Sequence, residues 1–174
     1  MERKELDEVL SLHLKWLNDE PDGKRANLYG ANLSGANLYG ANLYGADLRY
    51  AKNLDEAKHL FLPIACPETG SFTAYKNAVA EDGNVIVKLL IPASAKRTSA
   101  TGRKCRADKA KVIAILNTDR TKSELTEAFS RHDGEFVYKV GEYVEPKEPF
   151  CEDRWNECSS GIHFFITFDE AVNY

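Results

Sequence analysis

From residue 3 to residue 17 apolar side chains recur at helical spacing. Leu6, Val9, Leu10, His13, Leu14, Trp16 and Leu17 fall on one broad face. Asn18-Asp19-Glu20-Pro21-Asp22-Gly23 ends this amphipathic helix, with Pro and Gly as the breakers. So wide a face on so short a helix predicts something for it to cover. His13, in the middle of that face, is read as a packed residue holding one hydrogen bond.

After residue 25 the period changes to five. The chain reads Ala26-Asn27-Leu28-Tyr29-Gly30, Ala31-Asn32-Leu33-Ser34-Gly35, Ala36-Asn37-Leu38-Tyr39-Gly40, Ala41-Asn42-Leu43-Tyr44-Gly45 and Ala46-Asp47-Leu48-Arg49-Tyr50. Five fits neither the 3.6-residue period of a helix nor the two-residue period of a strand. It fits a coil with one repeat per side, in which Leu28, Leu33, Leu38, Leu43 and Leu48 form the core and Ala also points inward. Gly falls where the chain must turn a corner at positive φ. Asn or Asp stands before each Leu, placed to bond the backbone of the turn. Leu is due at position 53, but Asn53 stands there and Leu54 follows one residue late. This break leaves only residues 26–30 with a repeat, 46–50, stacked upon them, so the coil needs caps at both ends. The N-terminal helix is the natural cap on one side.

The repeats resemble the pentapeptide-repeat family, whose pattern is Ala, then Asp or Asn, then Leu, then two variable residues. That resemblance implies a right-handed quadrilateral β-helix with four repeats per coil. Together with the helix that carries Lys15-Trp16-Leu17-Asn18 and with the C-terminal region, the chain looks like a group of phage and bacterial pentapeptide-repeat proteins whose C-terminal domain has no assigned function. Long members of the family mimic DNA. A short coil with few acids and with tyrosines on different sides is not expected to.

From residue 61 onward the repeats stop. Residues 72–75, 85–91, 111–116, 136–140 and 162–167 are rich in β-branched and aromatic side chains between turn signals and predict strands. Residues 123–130 predict a short helix. Thr167 and Glu170 form a capping box that opens a final helix over 169–174. The organisation expected is a capping helix (1–20), a repeat block (21–60, with repeats at 26–50) and an α+β domain (61–174).

Composition narrows the function only slightly. The chain has 174 residues, 43% of them hydrophobic, and a formal charge of −4, with no bias toward nucleic acid or acidic membranes. No apolar run reaches the ~18 residues that a membrane span needs, and the first residues lack a signal peptide, so a cytoplasmic protein is expected. Cys66, Cys105, Cys151 and Cys158 form no CxxC pair. Cys151, Cys158 and His163 match no common zinc spacing, and reduced thiols without metal are expected.

Two stretches carry candidate chemistry. Residues 96–111 hold seven basic residues against one acid, and a loop in the middle could hold phosphate through Arg97, Arg103, Lys104 and Arg106. The plainer reading pairs this segment with the acids of 142–157. At the C-terminal end, Cys158 and His163 become a nucleophile–base pair only if a turn at Ser159-Ser160-Gly161 brings them together. Gly161-Ile162-His163-Phe164-Phe165, with Thr167, Ala171 and Tyr174, is similar to a strand and helix of poly-ADP-ribose-polymerase-like transferases. The resemblance implies that His163 takes the place of a tyrosine that stacks on nicotinamide, and that Tyr75 or Lys76 takes the place of a histidine. It places no catalytic glutamate in this chain, although Glu157 and Glu170 lie near in sequence. The expected protein is therefore a non-enzymatic interaction protein without cofactor, binding a protein partner and forming a homo-oligomer. The alternative is a nucleotide- or phosphate-binding domain using Arg97, Arg103, Lys104, Arg106 and His163.

Overall fold

The computed structural model describes every residue except 63 and 82. The chain divides into two compact units: Met1–Ile64 with Ala100–Gly102, and Ala65–Ser99 with Arg103–Tyr174. Helix and sheet make the whole an α+β protein.

In the first unit, helix α1 spans Arg3–Leu17, as its periodicity predicts. Its inward face is narrower than the sequence suggests. Leu6 and His13 are buried, whereas Leu14 is exposed. His13 Nδ1 accepts a hydrogen bond from the Ala26 N–H at 3.2 Å, tying the helix to the first repeat. Burial lowers the His13 pKa, so the ring stays a neutral acceptor. Gly23 lies against the backbone of the last helical turn, where an added Cβ would stand 2.5 Å from the Trp16 nitrogen.

Each repeat corner is closed locally. The Ala31, Ala36, Ala41, Ala46 and Ala51 N–H groups donate to the carbonyls of Leu28, Leu33, Leu38, Leu43 and Leu48. Gly30, Gly35, Gly40 and Gly45 take positive φ of 63–74° at the third position of these turns, as a type II turn requires. Tyr50 takes the same place with φ 57°. The side-chain oxygens of Asn27, Asn32, Asn37, Asn42 and Asp47 accept from the backbone N–H two residues on. All five leucines are buried.

The stacking goes further than the phase break predicts. Parallel bridges join Asn27 to Asp47, Asn32 to Lys52 and Asn37 to Lys58. The chain thus returns beside itself after 20, 20 and then 21 residues. The out-of-phase segment does not end the stack, because a 3-10 turn at Leu54–Glu56 takes up the extra residue and Ala57-Lys58 resumes the pairing.

Among its described residues the second unit contains nine strands. Strands β1 (Phe72–Ala80), β2 (Gly83–Ile91), β5 (Ala110–Leu116), β6 (Glu127–Phe129), β7 (Val137–Lys139) and β8 (Tyr143–Val144) form a sheet in the order β7-β6-β1-β2-β5-β8. Strands β3 (Arg97–Ser99), β4 (Cys105–Ala107) and β9 (Ile162–Phe164) form a second sheet in the order β3-β4-β9. One expectation is corrected here. The helix expected over 123–130 does not form; residues 127–129 are instead strand β6, because Ala128 packs into the core between β1 and β7. The basic segment 96–111 keeps a loop in its middle, at 100–104, flanked by β3 and β4, whose Cys105 and Ala107 are also core residues. Helix α2 (Phe168–Val172) opens with the expected capping box between Thr167 and Glu170. Phe168 and Ala171 close a small second core with Ile86 and Phe165.

Leu38→Asp should cost at least about 3 kcal/mol, because the carboxylate would have no partner among the stacked leucines. Unchanged melting would show that the leucines are not a packed core. Gly23→Ala should cost about 1–3 kcal/mol in the same assay, since its methyl meets backbone and no flexible side chain.

Candidate binding cavity of the C-terminal unit

Strand β1 pairs with β2 along its whole length, from Phe72–Ile91 to Ala80–Gly83. Its other edge is held at two points. Tyr75 and Phe165 exchange two 2.8 Å backbone hydrogen bonds, and Val79 pairs with Phe129 of β6. Between these points, among the described residues, no strand pairs with β1. Backbone polar groups of alternate residues face the same edge, so Asn77 presents its N–H and C=O to this gap. A cavity of about 370 Å³ lies there, lined by Lys76, Asn77, Lys104, Arg131, His132, His163, Phe165 and Tyr174. Beside it lies a cavity of about 770 Å³ with five of those residues in common and with Phe136, Tyr138 and Ile162 among its walls.

Lys76 stands on the core face of β1. Phe72, Ala74, Lys76, Ala78 and Ala80 alternate to that side, and Ala74 and Ala78 are fully buried. Small neighbours leave room for the lysine stem. Among the described residues its ammonium makes no hydrogen bond or ion pair. Burial, and then the nearby Lys104 charge, lower its pKa to about 8.

His163 reaches the cavity from β9. The chain bends at 159–161, and this brings the Ser159 carbonyl, rather than Cys158, to the His163 Nε2, 2.9 Å away. A carbonyl only accepts, so Nε2 carries the proton and Nδ1 keeps its lone pair. Burial first, then Lys104, lower the His163 pKa to about 4. Cys158 lines the larger cavity. Lys104 donates to the Tyr174 hydroxyl at 3.0 Å and lies over its ring.

The basic residues named from sequence divide into two groups. Arg97 donates to the carbonyls of Gly70, Pro92, Ala93 and Ala95. Arg106 is buried and donates to those of Cys151, Asp153 and Ser160. Arg103 pairs with Glu170, and Lys96 with Glu152, one of the expected acids. Only Lys104 and His163 line the cavity. Tyr75 packs on Phe168 away from it, while Lys76 and His163 share it. Glu157 and Glu170 are not in its walls. Asp133 and Glu148 line only the larger cavity, and Asp133 pairs with Lys147 at 2.8 Å. Sequence reasoning missed His132 and Tyr174 as lining residues. The one signal for Lys76, a charged residue in an alternating row of alanines, was legible. Among the described residues no group of three His, Cys, Asp or Glu side chains is placed to hold a metal ion, the four cysteines are free, and no helix is long and apolar enough to cross a membrane.

The folded pKa of His163 lies below the ordinary 6.5, so the unfolded chain takes up the proton first. Its stability contribution is complete above pH 6.5 and is lost as pH falls through about 4. The His163 ring proton resonance should therefore stay flat from pH 8 to 5 by NMR. A midpoint near the ordinary value would show an open, solvated ring.

Comparison with known proteins bears on both units. Residues 24–58 match the family model of pentapeptide repeats (8 copies). Residues 62–171 match the family of unknown function DUF5758. No curated protein and no solved structure matches the chain. With well over half its length in that match, the chain belongs to the DUF5758 family and carries that domain behind a pentapeptide-repeat block.

Proposed function

We propose that the C-terminal unit binds a small organic anion, of which a nucleotide is the type, in the cavity beside β1. One observation supports this above the others: Lys76 holds an ammonium on the core face with no carboxylate paired to it among the described residues. Burying a charge without a partner is costly, and an anionic ligand offsets that cost. Lys104 adds a second cation, the Asn77 backbone offers a donor and an acceptor, and Tyr174 and Phe165 offer ring faces. Arg97 and Arg106 serve the fold in this reading, because carbonyls occupy their guanidinium groups. No catalytic step is assigned.

A second reading concerns the repeat block, taken as a right-handed quadrilateral β-helix that presents side chains to a protein partner or to a second copy of the chain. Tyr29, Tyr39 and Tyr50 are exposed there, with Tyr29 against Tyr50 and under Arg49, and Tyr39 against His59. Rigid, exposed aromatic and Arg clusters suit protein interfaces. Exposed Leu14 and Trp16 on α1 favour self-association.

A thermal scan against phosphate, ATP, NAD, a cyclic dinucleotide and short RNA tests the first reading. A ligand at a hundred times its Kd adds about 2.7 kcal/mol, a rise of a few degrees for a chain of this size. The rise should disappear in Lys104→Ala and survive in Lys52→Ala. No rise with any of these ligands would remove the cavity reading. Capture of a partner that is lost on Tyr29→Ala with Tyr39→Ala would then favour the second.

A further inference from the structure

Lys76 differs from an ordinary anion-binding lysine in three ways. It rises from the core face of β1 between two fully buried alanines, it has no carboxylate partner among the described residues, and it shares its cavity with a second ammonium and an imidazole acceptor. A lysine beside another cation and shielded from water is mostly ammonium at neutral pH but keeps a larger share of nucleophilic amine than an exposed lysine does. The pKa of about 8 agrees with this placement. His163 Nδ1 retains its lone pair because Nε2–H is given to the Ser159 carbonyl. Lys104 stays available for an anion, since its partner on the protein is the neutral Tyr174 hydroxyl.

We propose that Lys76 is a covalent capture site for small aldehydes or ketones that carry a carboxylate or phosphate group. This rests on the reading that the cavity binds an organic anion. Lys104 holds the anionic group and directs the carbonyl carbon to Lys76. The Nζ lone pair attacks that carbon, and the carbonyl π electrons move to oxygen, which takes a proton. The attacking nitrogen gives up its proton, which passes through water to the carbonyl oxygen. Loss of water from the carbinolamine leaves a C=N bond. Amine plus carbonyl compound becomes imine plus water, with no oxidation or reduction, and hydrolysis releases the captured molecule.

The test traps the imine in the full chain. The protein is incubated separately with glyoxylate, pyruvate, glyceraldehyde 3-phosphate and uncharged propionaldehyde, each with cyanoborohydride, and is read by intact mass and peptide mapping. The expected result is one adduct on the Lys76 peptide with an anionic carbonyl compound, formed at least tenfold faster than at exposed Lys52 or Lys58. The carboxylate and phosphate probes show which anion the site prefers. Lys76→Arg should abolish the adduct, and Lys104→Ala should slow it for the anionic probes while leaving propionaldehyde unchanged. Inorganic phosphate should protect Lys76. Labelling of Lys76 no faster than of the exposed lysines, or equal labelling by propionaldehyde, overturns the proposal. A phosphate-induced rise in melting temperature without any Lys76 adduct overturns the imine alone. Failure of both overturns the anion reading with it.

Discussion

A strand inside a sheet must satisfy the backbone polar groups along both its edges, and among the described residues β1 is paired along its whole length on only one. Pairing with β2 is continuous, but the opposite edge is shared between two short partners, Phe165 and Phe129, four residues apart along β1. Unpaired backbone N–H and C=O groups are costly when dry. The two anchors therefore fix where the chain after β9 and the end of β6 must lie. The residues that follow or flank them, His163, Phe165, Arg131 and His132, become the walls of the cavity. The order of the strands alone thus puts side chains from distant parts of the sequence around one opening.

Into that opening the alternation of β1 delivers a lysine from the buried side. On the solvent face the same residue would be an ordinary cation. On the core face it faces the low dielectric that makes an unneutralised charge costly, and it does so with a second lysine nearby. The small row Ala74, Ala78 and Ala80 is what makes this tolerable, because larger neighbours would compete with the lysine stem for the same volume. His163 obeys a complementary logic. Its proton is committed to a backbone carbonyl, so the ring offers the cavity an acceptor and no additional positive charge.

How far the sequence announces these features depends on the range of the interactions behind them. The corners of the repeats are written in five residues each, and every Asn, Leu and Gly does locally what its position suggests. The helix 3–17 and the capping box at Thr167 are local in the same sense. Residues 123–130 look helical by composition, yet 127–129 are drawn into a sheet, where Ala128 pairs with Tyr138 of the next strand and Phe129 pairs with Val79, far back in the chain. Arg97 and Arg106 look like phosphate ligands until the carbonyls that claim them appear; Pro92, Ala93 and Ala95 lie close to Arg97 in the chain, but Gly70 and all the partners of Arg106 come from loops no local pattern connects to them. The cavity itself was invisible because a gap in a sheet edge is a property of pairing order. Of its walls, Lys104 and His163 stand out in the sequence, and Lys76 leaves a mark as a charge out of step with its alternating neighbours.

The corner turns have one more consequence, for how such a chain can vary. Each corner is closed by hydrogen bonds that begin and end within about one repeat, so a corner does not depend on its neighbours for its shape. The third lap runs 21 residues where the others run 20, and the surplus is absorbed wholly in the turn at Leu54–Glu56, with the bridges on either side intact. Single-residue insertions are therefore survivable at a corner, although they would shift every side chain to the wrong face in a strand.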